Sequence, residues 1–131
     1  MKTFIVGLSM IAAIGLQAAS DDIALNMKSM RDGLVQIQDG FLYNNKENII
    51  EGILKVEDAN KMFHDKKTAY KFLPADKQKL AGIAELSAKH LKSSLEEMKE
   101  YVQHNQIIEA SSVHSDLVHN CTRCHAIVRG W

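Results

Sequence analysis

The chain has 131 residues, the length of one domain. Hydrophobic residues make up 46% and charged residues 24%, a globular composition that excludes an intrinsically disordered chain. Lysine plus arginine equals aspartate plus glutamate at sixteen each, so the overall charge points to no nucleic-acid or anionic-membrane partner.

The first twenty residues, MKTFIVGLSMIAAIGLQAAS, stand apart. Lys2 supplies a positive start. Phe4 to Leu16 is apolar with Ser9 as its polar break, and Ala18, Ala19 and Ser20 are the small residues a signal peptidase requires. Residues 1–20 read as a secretory signal peptide, leaving 21–131 as the exported domain, with no stable membrane insertion after cleavage. The alternatives are a membrane anchor or the first helix of the fold. The apolar run is shorter than the roughly 20 residues of a membrane span, and Asp21 and Asp22 follow it directly. Cleavage removes one lysine and no acid, leaving 15 basic and 16 acidic residues.

One proline and no alternating apolar pattern argue for an all-α fold. From Asp22 to about Asn44, apolar residues fall at Met27, Met30, Leu34, Ile37 and Phe41, the seam of a helix packed against partners. Asp21 or Asp22 can cap its start, and Asn44-Asn45 can stop it. A second helix is expected over Lys46–His64, with Ile49, Ile50, Ile53, Val56, Ala59, Asn60 and Phe63 inward. A polar link broken by Pro74 follows. Its Tyr70, Phe72 and Leu73 are expected to fold back onto the core. The third helix should run from Pro74 or Ala75 to about His104, with Leu80, Ala84, Ser87, Leu91, Leu95, Met98 and Val102 inward. The fourth begins near Asn105 and presents Ile107, Ile108, Ala110, Val113, Leu117, Val118, Cys121, His125 and Val128. Gly130 marks its end. Four such helices with short links predict an up-down-up-down four-helix bundle.

The chain ends in HNCTRCHAIVRGW, which holds its only two cysteines. On a helix, positions i, i+3 and i+4 share a face, so Cys121, Cys124 and His125 point the same way. Two thiols at this spacing can add across the two vinyl groups of one haem, and the adjoining imidazole can reach its iron. C-x-x-C-H is the attachment motif of c-type haem. The rival chemistries have less to support them. Structural zinc wants four ligands and no second pair is present. A thioredoxin-like pair sits in a βα setting, and a disulfide across so short a loop stabilises little. The small residues Ala81, Gly82, Ala84, Ser87 and Ala88 could make room for the macrocycle. Gly33 and Gly40 could let helices approach, although tolerated helix residues are the plainer explanation for any one glycine.

Four helices with C-x-x-C-H at the end of the last resemble the cytochrome c′ superfamily over nearly all of residues 21–131. The resemblance implies one covalent haem c anchored by Cys121 and Cys124, with His125 as the proximal iron ligand. That family tends to place an aromatic and then a basic residue at the third and fourth positions after the histidine. Here these are Val128 and Arg129, so the aromatic is missing. Arg129 could pair with a haem propionate, or simply favour a helix C-terminus.

In the same superfamily the first helix faces the distal side of the iron, with either an apolar blocker or a methionine ligand. Met30 and Met27 are the candidates here, Met30 ahead because Met27 is nearer the helix start, with Leu34 as blocker if neither binds. A methionine ligand implies electron transfer with periplasmic redox proteins. An open distal side implies binding of a diatomic gas, nitric oxide or carbon monoxide. No arrangement of catalytic groups suggests an enzyme. The superfamily often dimerises through its first two helices, whose outward faces here carry mixed charge.

Overall fold

A computed structural model describes the backbone of residues 12–130 and the side chains of residues 22–129. Residues 1–11 of the expected signal segment, and Trp131, lie outside the described residues. Everything described is helix or turn, with no strand among the described residues. Among the described residues there are five α-helices: α1 Ala12–Leu42, α2 Lys46–Asn60, α3 Lys66–Phe72, α4 Ala81–Gln103 and α5 Ile107–His125. Short 3-10 turns occupy Lys61–Phe63 and Ala75–Leu80, and a π-helical turn, Ala126–Gly130, closes the described chain.

The first helix departs from expectation at its start. It runs unbroken from Ala12 past Ser20, so neither Asp21 nor Asp22 caps it. Alanine and leucine are good helix formers, and no glycine or proline interrupts the backbone between Leu16 and Asp22. Its end falls where the sequence places it. Asn44 takes a left-handed φ of 52°, and Asn45 caps α2 by accepting a hydrogen bond from the Asn48 amide.

The link after α2 contains a helix that periodicity did not reveal. Asp65 caps α3: its carboxylate accepts from the Thr68 amide at 2.9 Å and from the Thr68 hydroxyl at 2.8 Å. An aspartate three residues before a threonine is a recognisable start signal, but seven residues are too few to show an apolar period. Pro74 then separates α3 from the 3-10 turn that leads into α4. The third expected helix therefore starts as α-helix at Ala81 rather than at Ala75.

The core confirms most of the inward stripes. Ile37, Ile49, Ile53, Val56, Leu95, Met98, Val102 and Leu117 are essentially inaccessible, with Met27, Leu34 and Phe41 packed against them. Two residues of the last stripe are on the outside: Ile108 is 77% exposed and Val118 44%. Each sits one position from a buried or half-buried residue of the stripe, at its edge. Tyr70 is also exposed, although Phe72 and Leu73 turn inward as expected.

Gly33 and Gly40 of α1 are required by packing. A Cβ on Gly33 would lie 2.6 Å from Val56 Cγ2 and 2.8 Å from the Gly52 carbonyl oxygen. A Cβ on Gly40 would lie 2.5 Å from Ile49 Cγ1. Positions 40 and 33 meet 49 and 52 in turn, so α1 and α2 run antiparallel in backbone contact. Gly82 is different, with only the Lys66 side chain 3.9 Å away.

Candidate cofactor site

At the end of the molecule where α5 terminates, the helices part around a cavity of about 580 Å³. That volume lies within the ~300–1,000 Å³ of ordinary ligand and cofactor pockets. One wall comes from α5 and the turn after it: Cys121, Cys124, His125, Val128 and Arg129. The wall from α1 carries Met27, Met30 and Leu34. All six residues singled out in the sequence as anchors, ligands or cofactor partners thus line one space, although α1 and α5 are about ninety residues apart in the chain.

The remaining wall explains the run of small residues. Ala84, Ser87 and Ala88 of α4 face the cavity, where larger side chains would fill it. Asn120 holds this wall to α5 through a 3.1 Å bond from its Nδ2 to the Ser87 carbonyl. Phe63, Ala69, Phe72, Leu73 and Pro74, all from the segment between α2 and α4, close another side with apolar surface. Asn60, 1% exposed, also lines the cavity; its Nδ2 donates to the Ala88 carbonyl at 2.8 Å and to His64 Nε2 at 2.9 Å. Those bonds tie the end of α2 to α4.

Electrostatics follow from this burial. Cys121 and Cys124 are free and half-buried. Burial raises both thiol pKa values, with the neighbouring Cys124 adding to the effect at Cys121. His125 is lowered by burial and then by the Arg129 charge, which favours its neutral, electron-pair-donating imidazole. Arg31, Lys77 and Arg129 are the cations lining the cavity and Asp76 the one acid, so the site has an excess of positive charge. Arg31 and Lys77 carried no sequence signal for this place, since neither belongs to a motif.

The other histidines do not reach the cavity. His114 is half-buried against α1, where its Nε2 lies 3.3 Å from the Leu34 carbonyl and its ring meets Phe41 edge-on at 6.0 Å. Among the described residues, no group of three or more His, Cys, Asp or Glu side chains is arranged to hold a metal ion by itself. One imidazole and two thiols from α5 and two thioethers from α1 line the same cavity, a donor set that fits a metal carried in by an organic cofactor. Comparison with protein-family models, curated proteins and solved structures finds no match for this chain.

Proposed function

We propose that the chain is an exported c-type cytochrome of the cytochrome c′ type, an up-down-up-down bundle that carries electrons between periplasmic proteins. The observation that supports this most is one cavity lined at once by Cys121, Cys124 and His125 of α5 and by Met27 and Met30 of α1. A covalently bound haem c would supply an iron that changes charge by one electron.

The residues fit such a group. Cys121 and Cys124 lie one helical turn apart and would form its two thioether links. His125 would donate its imidazole nitrogen to the iron, helped by burial that keeps the ring neutral. Met30 is 8% exposed and sits deeper in the packed core than the half-buried Met27, which favours Met30 as the second ligand from the protein. A thioether ligand would raise the reduction potential of the iron. The apolar lining would limit water around the group, and Lys77 and Arg129, with Arg31 already paired to Asp32, would be the cations for its carboxylates. The resemblance to the superfamily and the pattern of residues 1–20 support export. No described helix is long and apolar enough to cross a membrane.

Expression in a host that attaches haem to exported proteins tests the reading. The purified chain should keep its haem after denaturation, show a low-spin absorption spectrum in both oxidation states, and fail to shift with carbon monoxide. A high-spin spectrum that shifts with carbon monoxide would replace electron transfer by gas binding. A colourless chain from that host would reject both.

A further inference from the structure

The balanced total charge conceals a strong local asymmetry. Residues 61–80, which join α2 to α4, contain six lysines (61, 66, 67, 71, 77 and 79) against Asp65 and Asp76. The rest of the chain has ten basic and fourteen acidic residues. Five of these lysines are exposed and Lys77 is half-buried at the cavity. Only Lys61 forms an ion pair among the described residues, with Asp58 at 2.9 Å. Of the nearby acids, Asp65 caps α3 and Glu85 pairs with Lys89 at 2.6 Å, which leaves Asp76 as the one acid of the segment without a bonded partner among the described residues.

The same segment has two faces. Phe63, Ala69, Phe72 and Leu73 turn toward the cavity, while Lys66, Lys67, Tyr70 and Lys71 form the solvent side of α3. Unpaired cations within about 10 Å of one another add their fields at ordinary salt. The segment that walls the cavity therefore carries a lysine-rich outer side.

We propose that the face formed by residues 61–80 is the docking surface for an acidic partner protein. Its purpose rests on the redox reading above, because a partner seated there lies against the wall of the cofactor cavity. A protein suits this face better than an anionic bilayer. The large apolar side chains point inward, leaving Tyr70 alone to enter lipid, and the acidic remainder of the chain is repelled by an extended anionic surface. A finite acidic patch meets only the lysines. Charge complementarity of this kind mainly sets the encounter rate and the choice of partner.

The test is amide-resolved NMR of the full chain, prepared with haem attachment, titrated with a decaglutamate peptide as the acidic probe. Shifts should cluster at 61–80, and affinity should fall about tenfold when salt rises from roughly 20 to 200 mM. The exposed triple variant Lys66→Glu, Lys67→Glu, Lys71→Glu should weaken binding at least about tenfold, with helical circular dichroism unchanged. The milder Lys66→Gln, Lys67→Gln, Lys71→Gln set should weaken it less, and serves if charge reversal disturbs folding. Shifts elsewhere, or a variant that binds as well as the parent, overturn the proposal. So does stronger binding to phosphatidylglycerol vesicles than to the peptide, which would assign the face to lipid. The absorption spectrum of the same sample separates the two ideas. Haem without peptide binding rejects the docking face alone, and peptide binding without haem rejects the redox reading alone.

Discussion

At the scale of single residues, the proposed haem reading turns on which of two thioethers binds. Met30 and Met27 are three positions apart on α1 and both line the cavity, but Met30 is the more buried. Met30→Leu keeps the volume and removes the sulfur. It should convert a low-spin spectrum to one that responds to carbon monoxide, whereas Met27→Leu should leave the spectrum unchanged. The reverse result would assign Met27. His114 makes a separate prediction. Burial lowers its pKa in the folded chain below the ordinary 6.5, while the backbone bond to Leu34 works the other way. Above pH 6.5 neither folded nor unfolded chain binds this proton, so the stabilisation is complete. As pH falls through 6.5 toward the lowered native value, the unfolded state takes up the proton first and stability declines. Urea unfolding followed from pH 7.5 to 5 should show this loss, and His114→Phe should flatten its slope.

At the scale of elements, the join between α1 and α2 leaves no room for an added Cβ at its glycines. Gly33→Ala would place a methyl group 2.8 Å from the Gly52 carbonyl oxygen, which is backbone and cannot rotate away. The helices must separate, so the variant should lose about 1–3 kcal/mol despite its better helix propensity. Gly82→Ala is the control. It has open space at the start of α4, so it should be neutral or gain up to about 1 kcal/mol. Thermal melts of the two variants decide this, and equal effects would mean that the close approach is not limiting. The two glycines look alike in the sequence because a helix-breaking tendency is local. What separates them is the backbone of another helix.

At the scale of the whole molecule, the cavity bears on stability. Apolar walls around about 580 Å³ lose packing contacts when nothing fills the space between them. The chain made in a host that cannot attach haem should therefore melt at a lower temperature than the haem-bearing chain, with the α3 segment the first to lose amide-exchange protection. That segment contributes much of one wall, and α3 is only seven residues long. Equal melting temperatures would mean that the cavity walls hold each other without a cofactor.

The sequence by itself determined the all-helical fold, the turn at Asn44-Asn45, most of the inward stripes, and the placing of Cys121, Cys124 and His125 on one helix face. These are local properties, set by a helical period or by spacings of three and four residues. The tertiary structure decided the rest. It made α3 a cavity wall, showed Gly33 to be a contact rather than a tolerated residue, turned Ile108 and Val118 outward, and brought Arg31 and Lys77 to the site. Each of these depends on what a neighbouring helix presents, which no local pattern encodes. The link from the terminal motif back to Met27 and Met30 belongs to both. The period put the methionines on an inward seam, and only the packing of helices distant in the chain set that seam and the cysteine pair around one space.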